Sequence, residues 1–571
     1  MKALRQLFAP VCFLLCLFPA TALAQDDDDF FADADAAWDD FSLDAAREWE
    51  EFRAQANAEY AALLEDAWKE FESVKGLTRP KDQNKIPLDY IQHIMVVSPA
   101  QVTKAKTTNA RFNIKAVLSG GFGLTRPDPA FKHKSVRKLL KEERRQRREA
   151  ERLAQKQERQ RKQQERAEAE QQERIEAEQQ QQLAQQPTEQ PQKPDMSAPK
   201  ARLVNYMFYG TPMQVNVGDI RQPLKLKSVQ PHDVAEAWRT CAGSEYNALL
   251  CDLMELREKH NLCDWAYLLM LNEAAEAYLG KGSNEAIFLT AFIYCQSGYR
   301  IRLGQSDGKL LMLYACQNTI YDQDGYMLDG KMFYVFGQQQ GQLYLSACEQ
   351  GFEKEQSLSL FVDKQPMLSA NNADTRTIKS KLYPDMEIKV SVNQNLIRFY
   401  DNYPSSCLQD NPLTRWALYA NKPMDESVRR QIYPTLQSAL KNLSEYDAVC
   451  RLLSLLQSGF VYEFDDKVWG HDRAFFPEET LYYPYSDCED RAILFSRLVR
   501  DLLGLKVALI YYDANAAHLA TAVHFNEKIK GDAFIINGEN FFVCDPTNGD
   551  PRPGVTMYEE VNEKAQFILL D

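Results

Sequence analysis

A run of residues that no core can hold fixes the layout of this chain. Residues 134–184, including KEERRQRREAERLAQKQERQRKQQERAEAEQQERIEAEQQQQ, are Lys, Arg, Glu and Gln with almost no large apolar side chain. They offer no stripe to bury and read as a solvated helix or a disordered charged tract. The Gln/Pro segment that follows, up to Pro199, reads as a flexible tether. Residues 134–200 are therefore a charged, Gln-rich linker, and every core must form before or after it. The basic first half of the tract is read as linker rather than as a site for anionic partners. A net charge of −14 also argues against binding to nucleic acid through phosphate contacts.

Ahead of the linker, Lys2 and Arg5 precede the apolar run Leu7 to Ala20 and then Ala22-Leu23-Ala24. This is the pattern of a signal peptide over residues 1–24, cleaved near Ala24/Gln25, and it implies a periplasmic or secreted protein. The run is shorter than the roughly 20 residues a spanning helix needs, so no transmembrane segment is expected. Residues 25–76 follow an 11-residue period. Trp38, Trp49, Tyr60 and Phe71 share one position, Phe41, Phe52, Leu63 and Val74 a second, and Ala45, Ala56 and Ala67 a third. That spacing predicts a nearly straight amphipathic helix closed by Gly76. Its stripe over 38–74 needs cover, either from the body of the protein or from a partner chain. Residues 77–133 form a small mixed segment.

Beyond the linker, helical patterns fill about 232–279, and a helix from Asn284 to Ser297 precedes strand-like pieces near Tyr299–Leu303, Leu310–Ala315 and Met332–Phe336. A connecting region, 341–443, is read as β-rich through 342–401, ending in IKVSVNQNLIRFY, and then helical. Residues 444–571 open on a helix, and their last 85 residues are one helix followed by strands. The whole is an α+β chain. Of its 12 cysteines, Cys12 and Cys16 leave with the signal peptide, and the others show neither disulfide-scaffold nor zinc spacing.

The chemistry concentrates in YYPYSDCEDRAILFSRLVRDLLGLKVALIYY. Cys488 precedes an amphipathic helix carrying Ile493, Leu494, Leu498, Leu502 and Leu503, so it sits at or near a helix N-terminus, where the dipole favours a thiolate. Asp487, Glu489 and Asp490 oppose this, so a histidine or a cation must help. In AHLATAVHF, His518 opens a strand, and in FFVCDPTNG, Asp545 ends one. A thiol, a histidine and an acid so arranged are the parts of a nucleophile, a base and its orienter. His524 is the rival base, and His471 reads as a loop residue.

RLLSLLQSGFVYEFDD, FFPEETLYYPYSDCEDRA, GLKVALIYY, HLATAVHF and GENFFVCDPTNG together resemble the transglutaminase-like, papain-related superfamily in its bacterial exported form, over residues 444–571. The resemblance implies a catalytic domain with Cys488 as nucleophile, His518 as general base and Asp545 as its orienter. It implies Gln457 as a donor to the oxyanion and a protein or peptide amide as substrate. Hydrolysis by a cysteine peptidase or amidase is the expected reaction. Transfer to an amine, as in a transglutaminase, and a non-catalytic peptide-binding or assembly role are the alternatives. The DCED string also resembles calcium-dependent cysteine proteinases, with Asp487, Glu489 and Asp490 around the ion. The plainer reading has these acids cap the helix and pair with Arg491, and no cofactor is required.

NEAIFLTAFIYCQSGYRIRL aligns with DRAILFSRLVRDLLGLKVAL, placing Ala286 on Ala492 and Gly298 on Gly504, and DGKMFYVFG aligns with NGENFFVCD after a two-residue slip. The expectation is a degenerate copy of the catalytic domain over 201–340. Gly282 would hold the nucleophile position, Met312 would lie near the histidine's and Gly337 would take the acid's.

Overall fold

The computed structural model describes residues 51–78 apart from 52 and 67, the short strands at 90–91, 94–97 and 102–104, and residues 202–570 apart from 338–344, 353, 513–517 and 557–564. The expected signal peptide, the first half of the N-terminal stripe and the charged linker lie outside the described residues. The chain divides into two units, Met1–Tyr60 and Ala61–Asp571. In the first, residues 53–60 are helical, and the Asn57 amide donates to the Arg53 carbonyl at 2.9 Å.

The helix runs only to residue 65, which corrects the expectation of one helix to Gly76. Lys69–Phe71 is instead a strand paired antiparallel with Ala347–Leu345, because a sheet edge there offers backbone partners that a helix would forgo. Gly76 is not a helix stop. A Cβ on it would stand 1.9 Å from the Gln323 carbonyl oxygen, so it marks a close backbone approach.

Two antiparallel sheets organise the second unit. The first contains β1 (Ile301–Ser306), β2 (Lys309–Ala315), β3 (Tyr326–Leu328), β4 (Lys331–Val335) and β5 (Leu345–Ala347) in the order β5-β1-β2-β4-β3. The second contains β6 (Val507–Tyr512), β7 (His518–His524), β8 (Ala533–Ile536), β9 (Glu539–Cys544) and β10 (Gln566–Leu570) in the order β10-β6-β7-β9-β8. The two orders are the same. An outer strand also pairs antiparallel with the matching edge of each, Lys69–Phe71 on β5 and Ile94–Val97 on β10.

Each set follows a helix, α1 (Asn284–Gln296) before β1 and α2 (Cys488–Leu503) before β6. α2 buries Ala492, Ile493, Phe495, Leu498, Val499 and Leu502 and packs against β6 and β7. It ends at Gly504 in the left-handed region, φ 65°, where a side chain would be strained. Alternate residues of the sheet, Ala508, Ile510, Tyr512, Ala520, Ala522, Phe541 and Val543, build one apolar cluster, as period-two geometry requires.

Register gives the correspondence between the sheets residue by residue. Ser306 faces Lys309 as Tyr512 faces His518, and Leu313 faces Val335 as Ala522 faces Val543. Lys309 therefore stands at the His518 position and Gly337 at that of Asp545. Asn284 Oδ1 accepts the Leu310 N–H at 2.9 Å, while the Leu519 N–H lies against the Cys488 sulfur. Asn284 thus matches Cys488. These matches correct two expectations, Gly282 for the nucleophile and Met312 for the histidine: ungapped alignment misses that α1 has 13 residues where α2 has 16, and that the β1-β2 turn is shorter than the β6-β7 connection. The segment NQNLIRFY is also helical, over Gln394–Asp401, with Asn393 accepting the Asn395 N–H as its cap and Leu396, Ile397, Phe399 and Tyr400 buried.

Candidate active site

Three elements bring Cys488, His518 and Asp545 to one end of the second sheet. Cys488 is the first residue of α2 and only 7% exposed. His518 is the first residue of β7, and Asp545 directly follows β9. Adjacent pairing of β7 with β9 carries the ring to the acid, and His518 Nε2 meets Asp545 Oδ2 at 2.9 Å. The other carboxylate oxygen, Oδ1, accepts from Thr547 N at 2.8 Å, Thr547 Oγ1 at 2.7 Å and Asn548 N at 3.3 Å. Burial pulls the Asp545 carboxyl upward, but bonds from His518 and Thr547 hold it below the ordinary range. The acid stays charged and fixes the ring.

The Leu519 N–H at the sulfur sets the thiol one residue along β7 from the imidazole. His524 lies at the far end of β7, roughly 20 Å away at 3.3 Å per residue, and its Nδ1 lies 3.0 Å from the Asn540 carbonyl. It is not the base of this site. His471 is exposed and stands 3.0 Å from the Trp469 carbonyl.

Gln457 does not face the sulfur with a spare donor. Its Nε2 donates to the carbonyls of Asp545 and Asp550, each at 2.9 Å. The oxyanion role expected from the resemblance is corrected to a positioning one: both amide hydrogens hold the loop that carries the acid.

The Cys488 thiol donates to Glu489 Oε2 at 3.0 Å. Burial, then Glu489 and Asp487, push this thiol well up. Asp490 uses Oδ1 to accept the Phe475 N–H at 2.9 Å and Oδ2 to accept the Asp487 N–H at 3.2 Å, which bears out its capping role. Arg491 donates instead to Ser486 Oγ at 3.1 Å and the Phe460 carbonyl at 3.2 Å. The expected acid–Arg491 pairing is absent among the described residues.

Two further acids join from the segment EFDDKVWGHDR. Oxygens of Asp465, Asp487 and Asp490 lie within 4.8 Å of one another, as do those of Asp465, Asp472 and Glu489. Burial and then Glu489 push the Asp465 carboxyl up to about 7. Burial, with Glu489 next, also raises Asp487 and Asp490. Arg415 offsets part of this charge through Asp472, with Nη2 to Oδ1 at 3.1 Å. Asp487 Oδ1 is buried without any hydrogen-bond partner. Sequence reasoning missed Asp465 and Asp472, although the acids in EFDDKVWGHDR were a visible signal; their contact with Glu489 is set by the tertiary fold.

A cavity of about 400 Å³, lined by Arg376, Val392, Tyr482, Tyr483 and Pro484 among others, opens beside the segment leading into Cys488. No helix among the described residues is long and apolar enough to cross a membrane. Comparison with protein-family models, curated proteins and solved structures finds no match to this chain.

Proposed function

We propose that this chain is an exported thiol enzyme of transglutaminase-like type that attacks amide carbonyls of proteins or peptides through Cys488. The observation that carries the reading is the buried 2.9 Å bond between His518 and Asp545, beside a helix-start cysteine that lies against the N–H of Leu519. His518 takes the thiol proton on Nδ1, because Nε2 is held by Asp545. The sulfur bonds the carbonyl carbon and the carbonyl π electrons move to oxygen. When that tetrahedral adduct collapses, the C–N bond breaks, the amine leaves with the proton from His518, and a thioester remains. Water then releases the acid, which makes the enzyme a peptidase or amidase.

The acidic cluster supports calcium as a partner of this site. A hard cation wants six to eight oxygen ligands, and Asp465, Asp472, Asp487, Glu489 and Asp490 supply carboxylates around an otherwise orphaned Asp487 oxygen. Bound there, the ion supplies a fixed positive charge that favours the thiolate. The remaining ligands would come from water.

The test is acylation of the purified mature protein by p-nitrophenyl acetate, with Cys488→Ser beside it and dansylcadaverine as an optional acceptor. A Cys488-dependent burst is expected, with turnover by water in preference to the amine. Identical behaviour of the serine variant would remove the enzyme reading, and preferential capture by the amine would turn it to transamidation.

A further inference from the structure

With both Gln457 hydrogens committed to Asp545 and Asp550, the site needs another side-chain donor for the oxygen that becomes negative during acylation. Tyr462 carries one. It lies on the two-residue strand Val461–Tyr462, paired parallel with Tyr485–Ser486 so that Tyr462 faces Ser486, two residues ahead of Cys488. Its hydroxyl lies beside the Cys488 side chain.

The ring is held from two sides. The Arg491 guanidinium sits over it at 5.3 Å from the centroid, itself anchored to Ser486 and Phe460. Phe464 meets it edge-on at 5.4 Å. Tyr462 is nevertheless 37% exposed, so it reaches solvent beside a thiol that is only 7% exposed. Burial, then the neighbouring thiol, hold the phenol's proton more firmly than usual, and the phenol remains a donor throughout the neutral range.

We infer that Tyr462 is a catalytic residue whose hydroxyl donates a hydrogen bond to the carbonyl oxyanion formed when the Cys488 sulfur adds to the substrate. This rests on the thiol-enzyme reading above. The Cys488 proton goes to His518, sulfur bonds carbon, and the carbonyl π pair moves to oxygen. Tyr462 keeps its proton and shares it with that oxygen. In p-nitrophenyl acetate, collapse of the adduct expels p-nitrophenolate and leaves the acetyl thioester, which water hydrolyses.

Tyr462→Phe removes the donor and retains the ring under Arg491. Two probes separate its effects, since alkylation by iodoacetamide passes through no oxyanion and acylation by p-nitrophenyl acetate does. Acylation of Tyr462→Phe should slow by about 10²–10³-fold, the loss seen when one oxyanion donor is deleted, while alkylation of Cys488 changes less than about tenfold. Alkylation at Cys488, located by peptide mapping, also reports that the variant site is intact. Equal losses in both reactions would make Tyr462 a thiolate support only, and an unchanged acylation rate would remove it from the chemistry. Either outcome overturns the inference. A wild-type protein with no Cys488-dependent burst would instead overturn the thiol-enzyme reading itself.

Discussion

Glu489→Gln tests the electrostatics of the thiol most directly. The Glu489 carboxylate accepts the Cys488 S–H at 3.0 Å, and its charge, shared between two oxygens, acts from about 4 Å. At an effective dielectric of about 20, two like unit charges at that distance repel by about 4 kcal/mol. At 1.36 kcal/mol per tenfold, this is roughly a thousandfold in thiolate population. Asp487, Asp465 and Asp472 still face the site in the variant, so the thousandfold figure is an upper bound. In a chelator at pH 7, iodoacetamide should alkylate Cys488 of Glu489→Gln at least tenfold faster than wild type, and the midpoint of its pH profile should fall. With calcium added, wild type should gain reactivity and the variant should gain less, having lost a ligand. A variant that alkylates no faster than wild type in the chelator would mean that Glu489 does not hold the thiol neutral. The acidic cluster would then have no say over Cys488.

The same cluster sets a stability profile. Asp465, raised to about 7, and Asp487 and Asp490, raised likewise, bind protons in the folded state that the unfolded chain releases above about 4. Their contribution is full below the unfolded values and is lost as pH rises through the folded ones. In a chelator, Tm should therefore fall between about pH 4 and 7, calcium should remove the fall, and a rising Tm would refute the coupling. Gln457→Leu removes two bonds to the acid's loop and should cost roughly 1–3 kcal/mol in denaturant unfolding while slowing p-nitrophenyl acetate acylation at least tenfold; a full acylation rate would show that the loop holds itself. Asn284→Ala should lose about 1 kcal/mol and leave Cys488 acylation untouched, and a drop in acylation would show that the first sheet takes part in the chemistry.

How much of this was legible in the sequence depended on how local each signal was. Helix α2, the strands after it and the positions of His518 and Asp545 follow from periodicity and from strand boundaries, which neighbouring residues set. Phe71 and Val74 continue the 11-residue stripe, but a sheet edge some 270 residues away claims the first as a strand and Gly325 bridges the second; no periodicity carries that information. The helix over Gln394–Asp401 was hidden because a true strand, Glu387–Val390, runs almost directly into it and its alternation continues to Val392 until the Asn393 cap takes hold. Gln457, Asp465 and Asp472 owe their roles to partners brought together only by the fold. The residue types were suggestive, but their contacts were not written in the spacing.

The two sheets separate what the architecture needs from what the chemistry needs. Both helices place their first side chain against the N–H of the second residue of the following strand hairpin's return arm, Asn284 on Leu310 and Cys488 on Leu519. A helix start leaves backbone donors and a nearby strand end leaves another, and a side-chain acceptor at this corner satisfies the strand's N–H whether or not anything reacts there. That contact is therefore structural in both sheets, and a cysteine is not required for it. What differs lies one residue away: Lys309 in place of His518, and Gly337 in place of Asp545. A lysine ammonium beside an amide cannot activate a nucleophile, and a glycine at φ 78° has no side chain to orient one. The reactive site is thus a small addition to a corner that the fold already requires, and its properties rest on His518, Asp545 and the carboxylates around Cys488 more than on the placement of the sulfur itself.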